Sequence, residues 1–200
     1  RYKGIPGRVV RMALDLLEKQ CASLATGLMT VNDEMADTFE KRLGRRPDVI
    51  ANTADENHFA WSRQRVLWPK GPRTLAYHGT ITDIYGLDLL IDAMPRVLEA
   101  HPDTRLLIFG DGPARPALEA QSKTLGVTHA VSFRGRVPFA EMSEHLRSVH
   151  VGVVPTRKDD FLNMTISTKL LEYVYLGMPV VSSDLAAIQR SFSKCDSLFF

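Results

Sequence analysis

From Leu75 to Val181 the chain repeats one pattern: a short apolar run, a glycine or turn, then a longer amphipathic stretch. The runs at 75–78, 105–109, 130–133 and 149–154, with the pair Val180-Val181, are too short for buried helices and are predicted as strands. The stretches at 87–100, 115–125 and 139–148 carry apolar residues at helical spacing. Strands that alternate with helices pair in parallel, because each crossover returns the chain to the same end of the sheet. The expected fold class is therefore α/β, a Rossmann-like parallel sheet with helices on both faces. Such sheets bind ligands beyond the carboxyl ends of their strands, and four loops are expected to converge there.

The region before this series is shorter and less regular. Val9, Met12, Leu16, Leu17 and Leu24 predict a helix over about 8–25, and the run 27–31 predicts a strand. Asn32 or Asp33 can cap a second helix through Met35, Phe39 and Leu43, stopped by Gly44 and followed by a strand at 48–51. Two such strands make no stable sheet alone. Between 52 and 72 no period is sustained, which predicts a linker and divides the chain into 1–51, 52–72 and 73–200. Leu198-Phe199-Phe200 reads as an unfinished buried strand, so the sequence is expected to be an excerpt of a longer protein.

Composition narrows the chemistry. A formal net charge of +2, with basic residues scattered among acids, argues against a nucleic-acid partner. Cys21 and Cys195 lack any CxxC or Cys/His spacing, so neither a disulfide scaffold nor a metal site is expected, and a reducing compartment fits. No apolar run approaches a membrane span and no signal peptide is recognisable, which predicts a soluble, cytoplasmic chain. GxSxG, HExxH and GxxxxGK[ST] motifs are absent from the sequence.

The stretch 163–181 is the richest in chemistry. Thr165, Ser167 and Thr168 suit a helix N-terminus, whose free N–H groups and dipole attract anions, and Lys169 adds a positive charge. Glu172 lies roughly one turn further on, where a carboxylate can accept hydrogen bonds from a ribose or sugar hydroxyl; read alone it is more often a solvated helix glutamate. Gly177 and Pro179 end the helix. Gly79-Thr80 could bring backbone amides close to a phosphate or form a simple turn. Gly135-Arg136-Val137 could face a nucleobase, although a lone arginine is more often solvated. Gly110-Asp111-Gly112-Pro113 opens like a dinucleotide fingerprint but has Arg115 where that motif needs glycine, which disfavours a dehydrogenase. His78, at the functional end of a strand, could donate to a ligand, although such a histidine is more often structural.

Five blocks in register, 77–80, 85–91, 107–113, 131–137 and 169–181 with its Lys-Leu-Leu-Glu-Tyr segment, resemble family 4 (group 1) glycosyltransferases. Asn52, Asp55 and Phe59 resemble that family's interdomain connection. The resemblance implies a GT-B fold in which 73–200 is the C-terminal, donor-binding domain, incomplete at its end, and 1–51 the tail of the acceptor domain. It implies transfer of a sugar from a nucleotide diphosphate-sugar to a glycan or lipid-linked acceptor, with retention at the anomeric carbon and no further cofactor. Glu172 matches the acid expected to bind ribose, Ser167 and Thr168 the diphosphate cradle, and Arg136 and Val137 the nucleobase loop.

The chain departs from the family pattern at Met164, where a first glutamate would stand, at Thr80, where arginine is usual, and at Tyr85, where lysine is usual. Asn163 is offered as a substitute for the lost acid, and Lys169 with backbone amides for the lost cations. No catalytic residue is identified, since acceptor contacts fall to the missing domain, and the excerpt alone is expected to be inactive. Peripheral association with the inner membrane face through that domain, a nucleotide-sugar epimerase, and a noncatalytic binding or assembly module stay open.

Overall fold

The computed structural model describes residues 7–59, 71–195 and 198–200, so most of the expected linker, 60–70, lies outside the described residues. The chain divides into two compact units, Arg1–Ala51 and Asn52–Phe200.

In the first unit, α1 (Gly7–Leu24) leads to β1 (Met29–Thr30), α2 (Asp33–Leu43) and β2 (Asp48–Val49), and β1 pairs with β2 in parallel. Asn32, not Asp33, caps α2: its Oδ1 accepts the Met35 N–H at 2.9 Å. Gly44 ends the helix at φ 71°, donating its N–H to Glu40 at 2.8 Å. The apolar residues expected to pack α1 are exposed, with Val9, Met12, Leu16, Leu17 and Leu24 all open and Ala22 alone buried.

The second unit contains six parallel strands: β3 (Thr74–His78), β4 (Arg105–Phe109), β5 (Val131–Gly135), β6 (Val151–Val154), β7 (Val180–Ser182) and β8 (Leu198–Phe199). Their order is β5-β4-β3-β6-β7-β8. The helices are α3 (Leu87–Ala100), α4 (Arg115–Thr124), α5 (Phe139–Leu146), α6 (Thr168–Tyr175) and α7 (Ala186–Phe192). Side chains alternate across the sheet as strand geometry requires. Leu75, Tyr77, Leu106 and Ile108 join α3 and α4 in one core cluster, while Ala76, Leu107 and Phe109 join α5, α6 and α7 in the other. Both faces are thus covered by helices, as expected.

Several boundaries differ from expectation. β6 starts at Val151, two residues later than expected, and the Val149 N–H is still bonded back to the Leu146 carbonyl at the end of α5 at 3.0 Å. The helix α7 was not expected. It is seven residues long, too short for periodicity to register, and its start is tied from outside by Asn163. β8 is a sheet edge, with Leu198 buried and Phe199 and Phe200 exposed, so of the expected buried strand Leu198 alone is buried. The first part of the expected linker packs into the second unit. Phe59 is fully buried there and meets Phe139 edge-on at 5.2 Å, after a turn in which Asp55 accepts the Asn57, His58 and Phe59 N–H groups.

The helix that carries the richest sequence chemistry is fixed by one contact. Tyr173 of α6 is fully buried, lies over Gly152 of β6, and donates its hydroxyl to the Ala76 carbonyl of β3 at 3.1 Å. A Cβ on Gly152 would overlap the Tyr173 ring, which has no free volume to retreat into. Gly152→Ala is expected to cost about 2–3 kcal/mol and lower the thermal midpoint by roughly 5–10 °C. An unchanged midpoint in calorimetry would contradict this packing.

Candidate functional site

The strand order reverses between β3 and β6: the chain proceeds outward through β4 and β5, then returns to add β6, β7 and β8 on the other side. The crevice beyond the carboxyl ends of β3 and β6 is therefore the switch point at which α/β sheets bind ligands. His78 ends β3 at this crevice, and α6 follows β6 on the way to β7.

The glycine loops next to it are locked to one another. Gly79, at φ 123°, donates to Phe109 at 2.9 Å, and Gly110, at φ 139°, donates to Gly135 at 2.6 Å. A Cβ on Gly110 would overlap the Gly79 carbonyl, and one on Gly112 the Ile81 carbonyl. These glycines thus serve close backbone approach between adjacent strand ends. This is the physical reason Gly110-Asp111-Gly112 resembles a dinucleotide fingerprint without its third glycine.

A cavity of about 420 Å³ opens over these loops, lined by His78, Gly79, Thr80, Phe109, Asp111 and the pair Arg136-Val137, with Phe139 and Met142 closing one wall. Three strand-end loops meet here, after β3, β4 and β5. The expected fourth, the segment leading into α6, does not line the cavity and reaches it through contacts with β3 and the Gly79 loop.

The first link is Glu172. It is not a solvated helix residue: it is buried, and its Oε2 lies 3.0 Å from Nε2 of the equally buried His78. The two atoms lie off the direction of a hydrogen bond, and among the described residues each is buried without a hydrogen-bond partner. The His78 ring also stands edge-on to Tyr173 at 5.0 Å, so β3 and the α6 seat are joined at this point. His78, read from sequence as structural, belongs to the site by position. Only its place at a strand end hinted at this.

Lys169 is the second link. It is 8% exposed, and its Nζ donates to Ser167 Oγ at 3.1 Å. Its Cε stands 3.2 Å from where a Cβ of Gly79 would be, and Nζ lies 4.4 Å from the centre of the Tyr85 ring and 5.2 Å from that of Tyr77. Burial lowers its pKa from 10.5 to about 8, opposed in part by the charge of Glu172. Burial also holds the Tyr77 phenol above its ordinary range, and Tyr85 adds to that.

The remaining predicted residues divide. Ser167 takes the N-cap position of α6 but makes no side-chain cap, so the helix's first N–H groups are not satisfied by it. Thr168 begins the helix and is exposed. Thr165 donates its hydroxyl to Leu162 O at 2.8 Å, closing the short 3-10 turn Leu162–Met164. Asn163, offered as a substitute acceptor for sugar hydroxyls, uses Oδ1 to accept the Ala186 N–H at 2.9 Å and so holds the start of α7. Thr80 is exposed, and its carbonyl accepts the Tyr77 hydroxyl at 2.8 Å. Arg136 is exposed and Val137 half-buried at the cavity rim. Among the described residues no cluster of His, Cys, Asp and Glu could hold a metal ion, and no helix is long and apolar enough to cross a membrane.

A parallel sheet covered by helices on both faces, with a cavity at its switch point, is the architecture this chain shares with GT-B glycosyltransferases of known structure. The model of the family described as glycosyl transferases group 1 matches residues 72–195, more than half of the chain, and the chain belongs to that family. It is 28% identical over 186 residues to a glycogen synthase of Mycobacterium tuberculosis, covering 92% of this chain and 43% of that protein. A phosphatidyl-myo-inositol mannosyltransferase of the same species is 29% identical over 165 residues, covering 82% and 42%. The solved structure of Anabaena HepE in complex with UDP and glucose superposes with a TM-score of 0.71 at 17% identity, covering 93% of this chain and 51% of that one. The chain thus spans about two-fifths of the length of the curated relatives it matches.

Because Lys169 binds its proton less tightly folded than unfolded, the unfolded chain holds more protons between about pH 8 and 10.5, and stability rises with pH across that window. Lys169→Met removes the buried ammonium and is expected to flatten this rise while leaving the protein at least as stable at pH 7. Denaturant titrations of both proteins at several pH values check it; an identical pH slope in the two would contradict the burial described.

Proposed function

We propose that the cavity and the start of α6 bind a nucleotide diphosphate-sugar, and that the whole protein transfers its sugar to a glycan or lipid-linked acceptor with retention of configuration. The observation that carries this reading is the buried Glu172 beside His78 at the switch point, with an uncapped helix start and a lysine close by. The base would lie against Phe109, Val137 and Arg136, apolar side chains supplying contact area and Arg136 a hydrogen-bond donor. The ribose hydroxyls would donate to Glu172, and the diphosphate would meet the Gly79 loop, the first N–H groups of α6 and Lys169. As the sugar departs, negative charge grows on the leaving diphosphate, and the same helix dipole and cation would stabilise it. The retaining course rests on family likeness. Names of relatives support a glycan acceptor in one case and a lipid-borne one in the other. Ser167 and Thr168 contribute backbone position in this reading, and Thr80 its backbone beside Gly79.

A noncatalytic nucleotide-binding module is the second reading, favoured by one finding: the Asn163 carbonyl offered in place of the missing acid is committed to α7. Met164 cannot replace it, since a thioether is only a weak acceptor.

Calorimetric titration with UDP, GDP and ADP is expected to give saturable binding of one of them, and Glu172→Ala to weaken it by about 10- to 100-fold, the range for a lost hydrogen bond to a charged group. Binding of none, by a folded sample, would sink the donor-site reading. Binding by the full-length protein without sugar transfer would favour the noncatalytic one.

A further inference from the structure

Lys169 is more than nine-tenths buried, yet among the described residues it forms no ion pair. Its hydrogen-bond partner is the neutral Ser167 hydroxyl, and the carboxylate of its own helix, Glu172, faces His78. Two aromatic rings stand where a counter-ion would be expected: Tyr77 from β3 and Tyr85 from the 3-10 turn Asp83–Tyr85. An ammonium on a ring face is attracted, but more weakly than by a carboxylate, so its desolvation is only partly offset.

The turn that carries Tyr85 is held firmly by its backbone. Its turn ends at Gly86, at φ 65°, where a Cβ would overlap the Pro155 carbonyl beyond β6. Arg157 donates its backbone N–H to Ile84 at 3.1 Å and its Nε to the Asp83 carbonyl at 3.2 Å, and pairs with Asp88. The turn that carries Tyr85 is thus tied to the segment after β6, and Lys169 lies between the Tyr85 ring and the Gly79 loop.

We propose that Tyr85, with Tyr77, is a positioning residue that presents Lys169 to the donor's diphosphate, and that diphosphate binding takes up a proton at Lys169. This deepens the donor-site reading and rests on it. The titratable and charged groups facing Lys169 are Tyr77 from β3, Tyr85 from the 3-10 turn and Glu172 from α6. No group among them supplies a contact counter-ion, so an anion at the Gly79 loop completes the charge and favours the protonated amine. In the free protein Lys169 loses its proton around pH 8, so affinity for a diphosphate falls above that pH, by up to about tenfold per pH unit.

The test is NMR of the full chain labelled with 13C at lysine Cε, with Lys169 assigned through Lys169→Arg and inorganic pyrophosphate, UDP, GDP and ADP as probes. The Lys169 signal is expected to be displaced by ring currents, to titrate near 8, and to move its midpoint upward by about one unit or more with saturating pyrophosphate. Tyr85→Leu should abolish most of the ring displacement, and Tyr85→Phe should retain it, which also serves if the leucine variant fails to fold. Titration with the ordinary lysines, near 10.5, would overturn the proposal. So would a midpoint that stays put while a nucleoside diphosphate binds saturably, an outcome that leaves the donor site standing. A midpoint raised by pyrophosphate when none of the three nucleotides binds would support the cage and count against the donor reading.

Discussion

The seat of Tyr173 on Gly152 governs the geometry of the whole crevice. Because β6 offers no side chain at 152, α6 can approach until a fully buried ring lies on backbone, and the phenol reaches across to the Ala76 carbonyl of β3. The helix is thereby held to both strands that flank the switch point. Glu172 precedes this tyrosine by one residue and meets His78; Lys169 lies four before it, about one turn back, and meets the Gly79 loop. Two charged side chains would be expensive to bury on a helix free to slide. A rigid seat makes their burial part of the site's preorganisation.

The glycine loops supply the other half of that rigidity. Gly79, Gly110 and Gly135 hand hydrogen bonds from strand end to strand end, so the cavity floor consists of backbone with little freedom to rearrange. Side chains with bulk, Phe109, Phe139 and Met142, are left to shape the walls. Such a division suits a ligand that combines a flat base with a charged tail, since one part needs apolar contact and the other needs N–H groups and a cation. At the edge of this floor the Tyr85 ring carries the Lys169 ammonium on its face.

Much of this was legible in the sequence because periodicity reports which face of an element is buried. The α3 and β4 spans, 87–100 and 105–109, coincide with their apolar pattern. The pattern failed where burial is decided by partners far away in sequence. The helix α7 depends on Asn163, 23 residues before Ala186. The site divided in the same way. Gly79, Arg136 and Glu172 could be named from loop and helix position, whereas the pairing of His78 with Glu172 and the stacking of Lys169 on Tyr85 join residues more than 80 apart and carry no local signal. Strand order, which alone reveals β3 and β6 as neighbours, is also invisible in a single sequence.

A crystal structure of the protein with its tightest-binding nucleoside diphosphate tests the central claim most directly. The base is expected against Phe109 and Val137, the ribose hydroxyls within hydrogen-bond distance of Glu172, and the phosphates between the Gly79 loop and the first turn of α6. A nucleotide bound elsewhere, or one in this cavity whose ribose and phosphates avoid Glu172 and α6, would contradict it.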